Sequence, residues 1–251
     1  MTDVLRAEWI KLRTVRSHWV LAYIAVAFPF VVATLTAVFA DLDGFDDESI
    51  ASVVSGTTIV SALLFGVIGV LSVAQEAAHG TLRVTFAAVP QRRQVLLAKV
   101  IVVAVTAAVV IGVAVAASVL SATSIASARD ADLEMASTSN GRAALLGSVL
   151  LAVLLALLGL ALGMLIRNVP TAVALLVLWP MVAENIVGGL LSLAFGESAF
   201  RWMPYAAGFQ LAIVEEFEDG WGSRWLAGAY FAAWVAALLA IGFAVNERRD
   251  A

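Results

Sequence analysis

The residue best placed for chemistry in this 251-residue chain is a carboxylate inside an apolar stretch. Glu184 lies beside Asn185 and shortly after Pro180, in the sequence WPMVAENIVGG. An ionised side chain in the middle of a membrane helix costs about 2.5–3.5 kcal/mol on insertion scales, so Glu184 should face a cavity or a partner. Two interpretations stay open. Glu184 is either a substrate or proton site, or a hydrogen-bonded group that stabilises helix packing, including packing across a dimer interface.

Catalytic signatures are absent from the sequence. No G-x-x-x-x-G-K-[ST], G-x-G-x-x-G, G-x-S-x-G or H-E-x-x-H motif occurs. The two histidines, His18 and His79, are far apart, and the lack of cysteine excludes thiol catalysis and Cys-ligated zinc. Ionisable residues within the apolar stretches are nearly confined to Glu184, whereas a proton- or sodium-driven pump usually has more of them. We therefore expect no catalytic residue, metal or cofactor in this chain, and an energy source outside it.

The composition of the chain indicates that the elements carrying Glu184 and its neighbours are membrane helices. Hydrophobic residues make up 62% of the chain and charged residues 14%, against about 45–50% and 25% in soluble domains. Six apolar stretches are long enough to cross a bilayer as helices. They cover residues 19–40, 53–74, 96–122, 143–166, 169–195 and 225–245. We predict an all-α integral membrane protein with one transmembrane domain over residues 1–251. At Arg167 and Asn168 either the turn is very tight or the boundary between the two spans shifts.

The distribution of basic residues predicts the orientation of the chain. Six spans put both termini on one side of the membrane, and eleven of the fifteen Lys and Arg residues fall on that side. The other four are Arg129, Arg142, Arg201 and Arg224. Because Lys and Arg in short connections accumulate on the cytoplasmic side, we predict a multi-pass plasma-membrane protein with both termini in the cytoplasm.

Residues 1–18 are predicted to form an amphipathic interfacial helix. On a helical wheel, most of the apolar side chains, among them Trp9, Leu12 and Trp19, share one arc of about 140°, and Glu8 intrudes on that arc. A helix with basic flanks and such an arc lies in the membrane interface, in contact with lipid, before the chain turns into the first span. The alternative is an ordinary basic flank that only sets topology.

The cytoplasmic connection at residues 75–95 combines basic and apolar residues. Gly80 can end the preceding span, Thr81 can cap a short helix, and Pro90 stops that helix. Topology alone explains the basic residues. It does not explain Phe86 and its apolar neighbours, which are too few to span and too apolar for a solvated loop. They indicate a docking surface for a cytoplasmic partner.

On the other side of the membrane, residues 196–224 form a long connection before the last span. Its part from 202 to 214 is apolar but shorter than a span, which predicts an interfacial or re-entrant helix. Four aromatic residues would anchor this segment at the interface. They are Trp202, Tyr205, Trp221 and Trp225.

In this order and at these positions, the features resemble the membrane subunits of type 2 ATP-binding cassette (ABC) transporters, particularly the short stand-alone permeases of actinobacteria. The resemblance covers the whole chain. Its motifs are EWIKLRTVRSHW before the first span, E-x-x-x-G-T-L-R at 76–83, P-x-R-R at 90–93, L-x-x-K at 96–99, and the Glu184 span followed by RWMPYAAG.

The resemblance implies a transport subunit that binds no nucleotide itself. In that family two permease subunits form the pathway, and a separate ATPase beneath each one holds ATP and Mg²⁺. The connection between spans two and three is a coupling helix that docks in a groove of the ATPase, and the N-terminal helix borders the same contact. Carried over to this chain, the partner contacts are Glu76, Thr81, Arg83, Phe86, Arg92 and Arg93.

The function implied by the resemblance is export of a hydrophobic or amphipathic substrate, such as a drug, a lipid or an antimicrobial peptide. No nucleic acid is expected as a partner, and the second subunit is either an identical copy or a paralogue. Two other functions stay open. One is a membrane structural or regulatory protein that binds a cytoplasmic partner without transport, and the other is a secondary transporter with Glu184 as its proton site.

Overall fold

The computed structural model describes residues 1–40, 46–89, 91–129, 138–215 and 221–248. No strand occurs among them, so the all-α prediction is confirmed for this part of the chain. Its α-helices are α1 (Thr2–Thr14), α2 (Arg16–Phe39), α3 (Asp47–Ala78), α4 (Thr81–Ala88), α5 (Arg92–Ala128), α6 (Ser139–Ile166), α7 (Val169–Leu178), α8 (Glu184–Phe195), α9 (Pro204–Phe209) and α10 (Arg224–Arg248).

Six helical segments are long and apolar enough to cross a membrane, as predicted. They are α2, α3, α5, α6, the continuous run of α7 and α8, and α10. Several helices extend past the apolar stretches, since α3 begins at Asp47 and α5 ends at Ala128. Hydropathy marks only the apolar part of a span, whereas helical hydrogen bonding continues into its polar flanks.

The two helices α3 and α6 form the centre of the bundle. In their most apolar parts 61% and 67% of the residues are buried, against 22–33% in the other four spans. A Cβ atom added at Gly159 of α6 would overlap the carbonyl oxygen of Gly66 in α3. Small residues at such a crossing let two membrane helices pack backbone against backbone.

The predicted tight turn between the fourth and fifth spans is present. Arg167 ends α6 in the left-handed region, at φ 51°. Asn168 then caps α7, because its side-chain oxygen accepts from the backbone N–H of Thr171 at 3.0 Å. Pro170 in the first turn of α7 suits this start, where its missing N–H would have no helical partner.

Both termini lie at one end of the bundle. Near the N-terminus, Glu8 contacts Lys99 in the first turns of α5, at 2.6 Å. Near the C-terminus, Arg93 at the start of α5 pairs with Glu247, with 3.1 Å between Nε and Oε1. The first turns of α5 therefore mark the end of the bundle that holds both termini, which we call the terminal end.

Candidate docking junction and broken fifth span

The turn between α3 and α4 places α4 at the terminal end. Gly80, at φ 70°, occupies the left-handed region that favours glycine and stands at the N-cap position of α4. The prediction that Thr81 caps this helix is wrong. Its hydroxyl donates back to the Glu76 carbonyl at 3.3 Å, since the turn at Gly80 leaves that carbonyl within reach. Pro90, predicted to stop the helix, lies outside the described residues.

Helix α4 is fixed to the bundle by one face and exposed on another. Phe86 is only 7% exposed, and the guanidinium carbon of Arg92 lies 5.4 Å from its ring centroid. Thr85 accepts a hydrogen bond from the Lys11 ammonium of α1 at 3.3 Å. Val84, by contrast, is 69% exposed. Phe86 therefore anchors α4 within the chain, and among the described side chains of α4 Val84 is the large apolar one that faces outward.

Of the partner contacts expected from the resemblance, some are exposed at the terminal end and others are buried in the bundle. Thr81 and Arg93 are exposed, whereas Phe86 is buried and Arg92 is partly buried. The side chain of Arg83 is outside the described part of the structure. Contact of these residues with an ATPase stays a prediction.

Glu76, Lys99, Glu8 and Lys11 form a buried ionic group that we call the lysine–glutamate cluster. The Lys99 ammonium donates to Glu8 at 2.6 Å, to Glu76 at 2.7 Å and to the Ser72 carbonyl at 3.0 Å. The Lys11 ammonium lies 2.8 Å from Glu8 and 3.3 Å from Glu76. The cluster thus joins α1, α3 and α5, and Lys11 extends it to Thr85 of α4.

Electrostatics explains why the cluster is stable. Lys99 and Glu8 are 2% and 4% exposed, and buried charges need partners because they lose their hydration. Two lysines face two glutamates, so the formal charges balance. Burial alone lowers the pKa of Lys11, but the hydrogen bond to Glu8 and the charge of Glu76 outweigh it, and the pKa is raised. Lys11 therefore stays protonated at neutral pH.

Sequence reasoning missed the partnership of Glu8 with Lys99. Glu8 was visible only as a charge that intrudes on the apolar arc of residues 1–18, and Lys99 as one more residue that sets topology. Glu8 and Lys99 share one property, because each is a charged residue on the inward-packing face of its helix. The structure places these two faces together.

The helix predicted over residues 1–18 is interrupted at Val15, which is extended, so Trp9 and Leu12 lie on α1 whereas Trp19 lies on α2. The three residues predicted to hold this segment at the interface also face different ways. Leu12 packs against the hydrophobic core, beside the buried Glu8. Trp9 and Trp19 are 44% and 45% exposed, and the Trp19 indole N–H donates to the Arg13 carbonyl at 2.6 Å. The apolar arc is thus split between a packed side and an outward side. Contact of the outward tryptophans with lipid stays a prediction.

Asn246, near the end of α10, joins three helices at the terminal end and was not predicted. Its side chain is fully buried and accepts from the Arg167 guanidinium at 2.7 Å. The Asn246 amide also donates to two carbonyls, those of Met164 and Gly242. Its backbone carbonyl accepts from Arg92 at 3.5 Å. The basic turns before α5 and α7 are thereby linked to the C-terminal helix.

Glu184, within the fifth span, caps the short helix α9. Its two carboxylate oxygens accept from the backbone N–H groups of Tyr205 at 2.8 Å and Ala206 at 3.0 Å. These groups belong to the first turn of α9, where N–H groups lack helical partners and favour a negative charge. Glu184 is 2% exposed. The geometry favours the packing interpretation of Glu184, within one chain.

Pro180 breaks the fifth span into two helices. A five-residue π-helix, Trp179–Ala183, separates α7 from α8. Proline has no N–H to give the Leu176 carbonyl, and the Tyr205 hydroxyl donates to that carbonyl instead, at 3.2 Å. The Asn185 amide donates to the Pro180 carbonyl at 3.0 Å. Both of these carbonyls are therefore hydrogen-bonded within the chain.

The segment before the last span contains three short helical pieces where one interfacial or re-entrant helix was predicted. They are the 3₁₀ turn Glu197–Trp202, α9, and the 3₁₀ turn Gln210–Ala212. Pro204 starts α9 and cannot continue the preceding turn, which explains the division. Tyr205 and Leu211 are buried, so the segment packs into the bundle.

The fold and these sites define a multi-pass helical membrane protein whose terminal end carries a short, firmly anchored helix. The sequence model of the family described as ABC-2 family transporter protein matches residues 4–201. The chain therefore belongs to the ABC-2 transporter family, and the family predicted from the sequence is confirmed. Members of this family are membrane subunits for transport and are not themselves catalytic. No curated protein matches the chain.

Proposed function

We propose that this chain is the membrane subunit of an ATP-driven exporter, and that a separate ATPase subunit binds ATP and Mg²⁺ and docks on α4. One observation carries the proposal. Helix α4 buries Phe86 in its own bundle yet leaves Val84 69% exposed at the terminal end. Because α4 is anchored to the bundle, a displacement of α4 by a partner would be passed on to the helices that it contacts. The exposed apolar side chain of Val84 can be buried in an interface with that partner.

The lysine–glutamate cluster supports a route from α4 into the spans. Thr85 of α4 is bonded to Lys11, which is bonded in turn to Glu8 and Glu76. Glu76 and Lys99 stand at the terminal ends of α3 and α5, which continue into the bundle. Because Lys11 joins Thr85 of α4 to both glutamates, a movement of α4 would either shift Lys11 within the cluster or break the 3.3 Å hydrogen bond to Thr85. In our proposal, closure of the ATPase dimer moves α4 and tilts the spans between access states.

The substrate class and the assembly are proposed by analogy with the family. We propose a hydrophobic or amphipathic substrate, a pathway formed with a second permease subunit, and a plasma-membrane location with both termini in the cytoplasm. The abundance of Lys and Arg on the terminal side supports that orientation. The proton-site alternative for Glu184 receives no support from its geometry, since both of its oxygens are already engaged by backbone N–H groups of α9.

Copurification tests the docking proposal. The chain should be expressed with an ABC ATPase encoded beside it, with Val84→Asp as the test variant and Ser124→Asp as the control. Ser124 is also exposed but lies near the end of α5 remote from the termini. Val84→Asp should reduce ATPase recovery about tenfold or more, because it puts a charge into an apolar contact. Equal recovery with both variants would contradict docking on α4.

A further inference from the structure

A cavity of about 410 Å³ lies between α6, the broken fifth span and α10. This volume is in the range of about 300–1,000 Å³ that ligand pockets occupy. Leu158 and Leu162 of α6 form its inner wall, while Phe231 and Leu238 of α10 form one side. Its lining is apolar and aromatic apart from Glu184, whose oxygens are already bonded to α9.

The cavity opens sideways, toward the surface that a bilayer would cover. Four of its lining residues are between 38% and 46% exposed. They are Leu175, Trp179, Val187 and Trp234. These residues belong to α7, the π-helix, α8 and α10, all within candidate membrane spans. A molecule that enters between these residues therefore comes from the hydrocarbon phase.

The cavity is built into the fold by the break at Pro180. Its end remote from the termini is closed by Pro204 and Tyr205, which are held in place by the bonds to Glu184 and Leu176. The π-helix supplies Trp179 to the lining. Because buried hydrogen bonds fix these walls, the space is preformed.

A cationic group stands beside the closed end. Trp202 lines the cavity, and the guanidinium carbon of Arg201 lies 5.4 Å from the Trp202 ring centroid. No carboxylate pairs with Arg201 among the side chains that the structure describes. Trp202 also packs edge-on against Trp221 and Tyr230, at 4.8 and 6.0 Å between ring centroids. Aromatic groups of this kind sit at the level of lipid headgroups.

We infer that this cavity binds one acyl chain of an anionic phospholipid, with the lipid phosphate beside Arg201. The apolar lining suits a hydrocarbon chain, the lateral opening admits one from the bilayer, and Arg201 supplies the charge that a phosphate complements. The inference needs no ATPase and no transport. Its failure would leave the proposed docking on α4 untouched.

Photo-crosslinking tests the site on the whole chain. The purified protein is reconstituted in vesicles of phosphatidylcholine with a small fraction of phosphatidylglycerol that carries a diazirine near the end of one acyl chain. Adducts are then mapped by mass spectrometry. We expect them on the cavity lining, at Trp179, Leu175 and Trp234. Leu175→Trp should lower the yield at Trp179 and Trp234 by about tenfold, because the larger ring fills the space.

Two control variants separate a built site from lipid that merely surrounds the protein. Leu193→Trp, on α8 at an 86% exposed position outside the cavity, should leave the yield unchanged. Arg201→Gln should reduce labelling by the phosphatidylglycerol probe but not by a phosphatidylcholine probe of the same chain. Labels spread evenly over outward residues such as Leu193, with no effect of Leu175→Trp, would overturn the inference. Cross-links between two copies through Trp179 or Trp234 would overturn it too, since a second chain would then fill the opening.

Discussion

Lys99 and Glu8 form an ion pair of 2.6 Å across 91 residues of sequence, and both side chains are almost fully buried. This pair ties the N-terminal helix to the start of α5. Glu76 and Lys11 complete a charge-balanced group around it. The N-terminal helix is therefore part of the same packed junction as α4, rather than a flank that only sets topology.

Loss of Lys99 should destabilise the protein strongly. Lys99→Met leaves Glu8 and Glu76 with one partly exposed lysine between them, and a broken buried pair costs about 3–5 kcal/mol. The free energy of unfolding, measured on purified protein in detergent, should fall by about that amount. Arg93→Met serves as the control, because the exposed Arg93–Glu247 pair should contribute only about 0–1 kcal/mol. Similar losses for both variants would show that the buried cluster adds no special stability.

Lys11 should matter for coupling more than for assembly. Lys11→Met removes the link from Thr85 to the cluster but keeps its shortest buried contacts, those of Lys99 with Glu8 and Glu76. We expect the ATPase to copurify as before, while stimulation of ATP hydrolysis by substrate falls by about tenfold, the scale of a coupling energy of 1–3 kcal/mol. Arg13→Met, on the exposed side of α1, is the matched control. Unchanged stimulation in Lys11→Met would exclude this route.

Glu184→Gln tests the role of the intramembrane carboxylate. A glutamine has one oxygen to accept from Tyr205 or Ala206, and its NH₂ group faces the other N–H, so one donor loses its partner. That costs about 1–3 kcal/mol and should loosen α9, seen as faster hydrogen exchange over residues 204–212. Tyr205→Phe should loosen the same segment through the Leu176 carbonyl. If Glu184→Gln instead abolishes transport while exchange, dimerisation and ATPase stimulation are normal, a substrate or coupling role replaces the packing role.

The crossing of α3 and α6 should not tolerate a methyl group at Gly159. Its Cβ would overlap the Gly66 carbonyl oxygen, so the two helices must separate. We expect Gly159→Ala to lower the free energy of unfolding by about 1–3 kcal/mol, as overpacking does. Gly112→Ala in α5 is the control, since nothing lies within 4 Å of an added Cβ there. Equal stability of the two variants would mean that the central crossing is looser than described.

Some of this structure could be predicted from sequence and some could not, for physical reasons. Hydropathy over about 20 residues predicted the six spans, and the lack of intervening residues predicted the turn at Arg167. Pairing between distant residues leaves no local pattern, so Glu8 with Lys99 and Glu184 with Tyr205 were missed. Phe86 was predicted to be buried against a partner, whereas the structure buries it within the bundle of its own chain. The surface that buries this side chain depends on how α4 packs against the rest of the bundle. A local sequence pattern does not reveal that packing.

Site-specific cross-linking at Val84 is the most direct test of the central claim, docking of an ATPase on α4. The natural chain has no cysteine, so Val84→Cys introduces a single reactive thiol at an exposed position of α4. The new thiol is labelled with a maleimide–benzophenone reagent, whose ketone inserts into a nearby C–H bond on illumination. With the coexpressed ABC ATPase, our account predicts a cross-linked product between the two subunits from Val84→Cys and none from Ser124→Cys. A cross-link from neither variant, while the two subunits still copurify, would contradict docking on α4 and place the contact elsewhere.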